Sequence, residues 1–212
     1  MLVDEAMQLA PALIAWLDLF GIAVFAASGA LAAAQRGQTL VTFSFFALIT
    51  GVGGGTVRDL LIGAPVFWVH DWRFPATCLV TAGLVWVTPT GFWRPRALDW
   101  FDAVGIAIYA VFGAWKSLTL GISLLPAMMM GVITACVGGI IRDVLAGEPS
   151  ILLKPEIYVT AAALAAGLFV SLTWAGLPVL PAAILSAGAG FGLRAMAILK
   201  GWAIPGYREN QR

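Results

Sequence analysis

Two short stretches join glycine to an adjacent cation and anion within long apolar runs. Residues 53–59 read GGGTVRD and residues 138–143 read GGIIRD, and the second arginine follows the first by 84 positions. Glycine weakens a helix and lets it bend, and a bend frees backbone carbonyls that lipid cannot satisfy. A charge at membrane depth usually faces a polar pathway or a buried partner. The two stretches therefore indicate a place where polar groups meet inside a membrane.

The residue types around these stretches suit a weakly held monovalent cation. Hydroxyl and carbonyl oxygens can replace the water around such an ion, and carboxylates raise its local concentration. We predict helix kinks that line a pore at five glycines: Gly53, Gly54, Gly55, Gly138 and Gly139. We predict pore-lining or ion-attracting oxygens at Thr50, Thr134, Asp59, Asp143, Asp18 and Asp102. The charged residues expected to shape the pathway or hold its structure are Arg58, Arg142 and Lys116.

Each of these residues also has a plainer interpretation. Small residues let helices approach closely in lipid, so the glycines are also candidates for a packing surface. Arg58, near the end of its span, could extend to the headgroups as an interfacial side chain. Asp18 and Asp102 could be carboxylates at helix starts, where the helix dipole favours them. The recurrence of glycine beside Arg-Asp favours a functional role, but the sequence leaves these alternatives open.

The composition is that of an all-α integral membrane protein. Of 212 residues, 61% are hydrophobic and 11% are charged, whereas soluble domains are roughly 45–50% apolar and about 25% charged. A spanning helix needs about 20 apolar residues, so we predict seven transmembrane helices in one domain over residues 1–212. The first residues carry Asp4 and Glu5 but no Lys or Arg, which argues against a cleaved signal peptide.

Several functional classes find little support in the residue types. The formal net charge of +1 gives no reason to expect nucleic acid as a partner. Cys78 and Cys136 lie in apolar runs, and His70 is the only histidine. This pattern predicts no disulfide, no bound metal and no cofactor. A membrane enzyme would need a nucleophile–base pair or a ligand cluster within the spans, so we expect that the protein is not an enzyme.

The first half of the chain recurs in the second half at the 84-residue offset. Aligned without gaps, residues 17–65 and 101–149 share about 18 identical pairs out of 49. We therefore predict two three-helix repeats, at about 13–90 and 100–175, followed by a seventh helix at about 179–199. An odd number of crossings turns the second copy upside down. Transport proteins with inverted repeats place their pathway at the repeat interface.

Charges in the connections predict the orientation. One side is expected to carry Arg36, Arg94, Arg96, Lys154, Lys200, Arg208 and Arg212, and the other chiefly Arg73 and Lys116. The positive-inside rule then puts the C-terminus in the cytoplasm and the N-terminus outside. We expect a multi-pass protein of the inner (plasma) membrane.

The doubled glycine-Arg-Asp stretch, with Gly63 and Pro65 after the first copy and Gly147 and Pro149 after the second, resembles the bacterial members of the trimeric intracellular cation (TRIC) channel family. The resemblance covers nearly the whole chain. It implies a homotrimer with one potassium-permeable pore inside each subunit. This pore would be formed mainly by the first, second, fourth and fifth spans, with kinks at the glycines. Val137 stands where the first copy has Gly53, so the second kink is expected to be milder.

Two functional hypotheses follow. The first is a passive channel for potassium and also sodium, surrounded by membrane lipids and weakly selective because no Thr-Val-Gly-Tyr-Gly filter is present. The second is a facilitator of small neutral amino acids such as glycine. Some bacterial relatives bear a glycine-transporter label, and helix ends exposed at breaks can bind a carboxylate and an ammonium group.

Overall fold

The computed structural model describes residues 2–93, 96–153 and 156–204, with the backbone alone for residues 2–15, 17 and 90. The α-helices in these residues are α1 (Leu2–Gln35), α2 (Leu40–Leu61), α3 (Arg73–Val87), α4 (Ala97–Thr119), α5 (Leu124–Ala146), α6 (Val159–Trp174) and α7 (Val179–Lys200). The prediction of an all-α membrane protein with seven helices is confirmed. Four cations used to predict the orientation lie outside the described residues: Arg94, Lys154, Arg208 and Arg212.

The helices differ in how easily they cross a bilayer. Five of them, α1, α2, α4, α5 and α7, contain segments long and apolar enough to span a membrane. The other two, α3 and α6, have 15 and 16 residues. At 1.5 Å per residue they are about 23 Å long, short of a hydrocarbon core of about 30 Å. The two short helices hold the same place in each repeat. At the N-terminus, α1 begins well before the predicted residue 13.

Helices α1, α2, α4 and α5 form the centre of the molecule. Each repeat places its short helix against its own pair, with α3 on α1 and α2, and α6 on α4 and α5. The last helix, α7, packs on α4 and α6. Alanine and glycine dominate the interior of this bundle, which lets the helices approach closely where lipid offers no hydrophobic drive for association. Cys78 and Cys136 are buried free thiols, as expected of small apolar residues.

The helix ends also recur between the repeats. Gly63 follows α2 with φ of 68°, and Gly147 follows α5 with φ of 67°. This left-handed conformation is readily adopted by glycine and ends a helix. In both places the next residue donates its backbone N–H to the aspartate carbonyl at the end of the helix, Ala64 to Asp59 and Glu148 to Asp143. Glycine thus ends α2 and α5 in the same way.

The packing of α1 against α4 is reciprocal. A Cβ atom added at Gly21 would lie 2.6 Å from a ring carbon of Tyr109, and one added at Gly105 would lie 2.6 Å from a ring carbon of Phe25. These two contacts exchange under the 84-residue offset. Because residue 21 meets residue 109 while residue 25 meets residue 105, the two helices run antiparallel. The reciprocal, antiparallel contact supports the inverted relation expected from the sequence.

Contacts also gather alternate connections at one end of the bundle. Arg36, after α1, pairs with Glu148, after α5. Arg96, before α4, donates from Nη1 to the Ile198 carbonyl near the end of α7, at 2.8 Å. These connections are among those expected to share a side of the membrane.

Candidate functional site

Helices α2 and α5 cross at the predicted glycines, and we call this contact the helix crossing. A Cβ atom at Gly54 would collide with the carbonyl oxygen of Thr134, and one at Gly138 would collide with the carbonyl oxygen of Thr50. The two contacts again exchange under the 84-residue offset, and they show that α2 and α5 run antiparallel. Only glycine permits so close an approach of two backbones.

Both helices continue without a break through their glycines. The structure therefore gives Gly54 and Gly138 the packing role that the sequence left open, and the predicted kinks remain a prediction. Gly53 also lies at the crossing, with its added Cβ 3.7 Å from the Gly138 Cα. Gly55 faces the ring of Phe67, and Gly139 faces the hydroxyl of Tyr158.

The two threonines sit between the crossing and the neighbouring helices. Their carbonyls, which we expected a bend to free, are covered by the facing glycines. The Thr134 hydroxyl donates to the Met130 carbonyl at 2.6 Å, whereas the Thr50 hydroxyl has no hydrogen-bond partner among the described residues. Both threonines are thus buried at the centre of the bundle in this arrangement.

At the end of α2 lies a group that we call the first-repeat cluster: Arg58, Asp59 and Lys116. Arg58 Nε donates to Asp59 Oδ1 at 2.9 Å. Lys116, from α4, places its Nζ 2.9 and 3.1 Å from the two oxygens of the same carboxylate. Arg58 is 1% exposed, so its interpretation as an interfacial side chain is wrong. Its Nη1 has no described hydrogen-bond partner, and the guanidinium lies over the Phe112 ring.

Asp18 lies near the first-repeat cluster but is held differently. The Tyr109 hydroxyl donates to Asp18 Oδ1 at 2.7 Å and is 2.9 Å from the Asp18 carbonyl. Asp18 also interacts electrostatically with Arg58 and Lys116. Because α1 begins at Leu2, Asp18 is an interior residue of its helix. The interpretation of Asp18 as a helix-start carboxylate is therefore wrong.

The equivalent group at the end of α5, the second-repeat cluster, consists of Arg142, Asp143, Asp102 and Ser28. Arg142 donates to Asp143 Oδ1 from Nε at 2.9 Å and from Nη2 at 2.8 Å. Its Nη1 lies 2.8 Å from both Asp102 Oδ1 and Ser28 Oγ. Arg142 and Asp102 are at most 1% exposed. Asp102 is therefore a buried partner of arginine and not an interfacial carboxylate at a helix start.

A partly open cavity of about 300 Å³ adjoins the second-repeat cluster. Its charged lining consists of two arginines and four acids: Arg36, Arg142, Asp99, Asp143, Glu148 and Glu156. Arg36 and Glu148 form an ion pair within this lining, with side chains 42% and 52% exposed. Among the described residues that line the cavity, acids outnumber bases, which favours cations.

The predicted site residues thus lie at or beside three places: the helix crossing, the charged cluster at the end of α2 and the charged cluster at the end of α5. Sequence reasoning missed Ser28, Tyr109 and the Arg36–Glu148 pair. The available signal was a difference between aligned repeat positions, since Ser28 matches Phe112 and Tyr109 matches Phe25. Among the described residues, no group of three His, Cys, Asp or Glu side chains is arranged to hold a metal ion.

Comparison with known proteins gives the same two-repeat pattern. The family model described as "Glycine transporter" matches residues 15–90 and again residues 99–174. A UPF0126 membrane protein from Vibrio cholerae is 42% identical over 169 residues, covering 75% of this chain and 68% of its own. The UPF0126 inner membrane protein YadS from Escherichia coli is 42% identical over 155 residues, covering 70% and 73%.

Solved structures extend the likeness to the whole fold. A TRIC channel orthologue from Rhodobacter sphaeroides is 40% identical, with a TM-score of 0.82 over 88% of this chain and 97% of its own. A second TRIC cation channel is 28% identical, with a TM-score of 0.81 over 90% and 95%. Taken with the doubled glycine-Arg-Asp stretch and the seven helices, these matches show that the chain belongs to the bacterial branch of the TRIC channel family, whose three-helix repeat the glycine-transporter model describes.

Proposed function

We propose that this chain is a passive channel for monovalent cations, chiefly potassium, with a path between its two repeats. The observation that carries the proposal is the arrangement of buried charge. Each cluster lies at the C-terminal end of its helix, α2 or α5. Because these helices are antiparallel, the clusters stand at opposite ends of the bundle with the helix crossing between them. Ionisable residues within transmembrane segments are costly and commonly mark ion pathways.

Two further observations support cations as the permeant species. Among the described residues that line the cavity beside the second-repeat cluster, acids outnumber bases, which favours cations at that end. The structural relatives from Rhodobacter sphaeroides and elsewhere are described as cation channels. Weak selectivity is expected because the sequence contains no Thr-Val-Gly-Tyr-Gly filter.

Conduction requires the helix crossing to open. In the present arrangement, the backbones of α2 and α5 touch at Gly54 and Gly138. Their separation by the width of a hydrated ion would expose the carbonyls and hydroxyls of Thr50 and Thr134 to water. Polar oxygens at that level would replace part of the hydration shell of the ion. Because glycine has no side chain, α2 and α5 can then separate and meet again at these positions without interlocked side chains.

The proposal is tested by measuring potassium flux and current in lipid membranes that contain the purified protein, after its insertion has been verified. Single-channel potassium current is expected from the wild type. The double variant G54L/G55L should abolish it, because leucine cannot fit at the crossing. A matched control is G83L, since an added Cβ at Gly83 in α3 meets nothing within 4 Å. Silent wild-type bilayers, or a conducting G54L/G55L variant, would contradict the proposal.

A second candidate function is facilitated transport of a small neutral amino acid. The family model that matches both repeats carries the description of a glycine transporter. Each cluster offers an arginine for a carboxylate and an aspartate for an ammonium group, as zwitterion recognition needs. Saturable uptake of radiolabelled glycine into proteoliposomes, without proportional ionic current, would favour this candidate over the channel.

Assembly and orientation complete the proposal. We expect a homotrimer in the inner membrane, with the N-terminus outside and the C-terminus in the cytoplasm. On α7, an added Cβ at Gly188 or Gly192 meets nothing within 4 Å, whereas one at Gly190 contacts Ala165 of α6. The two open glycines suit a subunit contact. Native mass spectrometry should give the trimer, and a C-terminal reporter active only outside the cytoplasm would contradict the orientation.

A further inference from the structure

The two short helices, α3 and α6, differ in what covers their outer faces. Helix α7 packs along α6 and α4. An added Cβ at Gly190 of α7 would lie 2.8 Å from the Ala165 Cβ of α6, and the ring centroids of Phe191 and Trp100 are 6.3 Å apart. Trp16 aligns with Trp100 under the 84-residue offset, and it is 71% exposed. The flank formed by α1 and α3 is therefore open where the equivalent flank of the second repeat is covered by α7.

The open face of α3 carries large aliphatic side chains. They are exposed from the middle of the helix to its end, at Leu79, Val80, Leu84 and Val87. Contacts between helices in lipid favour small residues, because these let the backbones approach closely. Large aliphatic groups instead match the acyl chains of lipid. The outer face of α3 is therefore better suited to phospholipid than to another helix.

The length of α3 limits how thick the hydrocarbon beside this face can be. The helix has 15 residues, which corresponds to about 23 Å. Irregular backbone that faces lipid cannot lie within hydrocarbon, because its N–H and C=O groups would have no hydrogen-bond partners there. The hydrocarbon that meets α3 can therefore be no thicker than about 23 Å, compared with about 30 Å in a typical bilayer.

The residues at the two ends of α3 match the headgroup region. At its start, Asp71 and Arg73 form an ion pair with side chains that are 23% and 54% exposed, and Trp72 between them is exposed. In its last turn, Trp86 is also exposed. Tryptophan is enriched at the headgroup level on both sides of a membrane. Trp86 follows Trp72 by 14 residues, so the two rings mark interfaces about 21 Å apart.

The helix on the opposite flank fits a bilayer of ordinary thickness. Helix α7 has 22 residues and is long and apolar enough to span a membrane. Its length of about 33 Å exceeds that of α3 by about 10 Å. One subunit thus presents lipid with two different helix lengths, a short one beside α1 and α2 and an ordinary one beside α4 and α6.

We propose that the open face of α3 binds phospholipid in a locally thinned bilayer, with hydrocarbon about 23 Å thick, while α7 meets lipid of ordinary thickness. A bilayer adapts to a short helix by thinning, at a modest cost for each ångström of mismatch. Phospholipids with short acyl chains reduce this cost, so they are the preferred partners of this face. The inference concerns the lipid-facing surface and holds for any transported species.

Electron cryomicroscopy of the full chain in dioleoylphosphatidylcholine nanodiscs measures the bilayer beside each flank. The two headgroup layers should lie closer together beside α3 than beside α7, by roughly 7 Å. Headgroup layers at one level around the whole protein would overturn the proposal. Density of a neighbouring subunit over Val80 and Leu84 would also overturn it, because this face would then be a contact between copies.

Lengthening α3 gives a second test with a matched control. Pro89 and Gly91 follow the helix, both are exposed, and an added Cβ at Gly91 meets nothing within 4 Å. The variant P89L/G91L replaces two poor helix formers, so it should extend α3 by about one turn, which circular dichroism can verify. G83L adds a leucine to α3, where an added Cβ also meets nothing within 4 Å, without lengthening the helix.

The measurement is the Tm of each variant relative to the wild type in nanodiscs of short-chain dimyristoleoyl- or long-chain dierucoylphosphatidylcholine. P89L/G91L should have the lower Tm in the short lipid and the higher Tm in the long lipid, a swing of roughly 4 °C. G83L should show the same difference in both lipids. An extended P89L/G91L variant whose difference does not depend on the lipid would overturn the proposal. If this variant does not fold, the thickness map of the wild type decides.

Discussion

In the first-repeat cluster, a lysine and an arginine hold one aspartate, whereas in the second-repeat cluster one arginine holds two aspartates and a serine. The backbones around the two clusters match closely. In each, a backbone N–H group donates to the aspartate at the helix end: Phe67 N–H to Asp59 Oδ2, and Ile151 N–H to Asp143 Oδ2. The difference comes from a few side chains that face the clusters from the opposite repeat. The duplicated sequence thus sets the helix crossing, while single side-chain differences set the electrostatics at the ends of α2 and α5.

The largest expected effect concerns the two arginines. R142Q leaves Asp102 and Asp143 buried without their shared cation, which should cost about 3–5 kcal/mol of the free energy of unfolding. R58Q should cost clearly less, because Asp59 keeps Lys116 and Arg58 Nη1 has no described hydrogen bond to lose. Unfolding in mixed micelles with rising SDS measures both variants.

The same comparison has an internal control. Adding D102N to R142Q removes one of the stranded carboxylates, so the double variant should recover part of the lost free energy. Equal losses in R142Q and R58Q, or no recovery in R142Q/D102N, would mean that the two clusters are energetically alike.

At the helix crossing, in contrast, matched substitutions in α2 and α5 should lower the free energy of unfolding by similar amounts. G54A and G138A both force a methyl group onto a facing carbonyl, and each should lower the free energy of unfolding by about 3 kcal/mol. The reference is G83A, which meets no neighbouring atom and should stabilise its helix by about 0.5–1 kcal/mol. A neutral result at one of the two crossing positions would show that α2 and α5 do not contact reciprocally.

Symmetry also explains which features the sequence could predict. The helices follow from apolar length, and the repeat follows from identities such as Asp18 with Asp102 and Arg58 with Arg142. The glycine pattern is compatible with both kinks and close packing, because the sequence cannot tell a bending glycine from one that faces another backbone. The structure shows the second situation at Gly54.

The partners of the charged residues could not be predicted for a related reason. The 84-residue offset finds positions where the repeats agree, whereas partner choice depends on positions where they differ. Lys116 reaches Asp59 from the other repeat, and its aligned position holds Ala32. Such long-range pairs depend on how the repeats face each other, which local patterns do not encode.

Removing the hydroxyl group from each of two buried tyrosines should have smaller effects on stability. The Tyr109 hydroxyl donates to buried Asp18, so Y109F should cost about 1.5 kcal/mol, as expected for a lost hydrogen bond to a charged group. The Tyr158 hydroxyl lies close to Asp102 but makes no hydrogen bond of good geometry with a described residue, so Y158F should cost less than Y109F. Both variants keep the ring, so packing is matched. A larger loss in Y158F would mean that its hydroxyl is bonded to Asp102 in the membrane.

The smallest effect is expected from an ion pair outside the spans, which serves as a reference for the buried clusters. Asp71 and Arg73 interact through several hydrogen bonds before α3, and this contact lowers the pKa of Asp71 below its ordinary value of 3.8. A lowered pKa in the folded protein means that any stabilisation is present above pH 3.8 and is lost as the pH falls through the lower value. D71N should therefore match the wild type closely at neutral pH, because exposed pairs contribute little, and the small remaining difference in Tm should disappear under strong acid. A difference at neutral pH as large as that of R142Q would show that burial is not what separates the clusters from a surface pair.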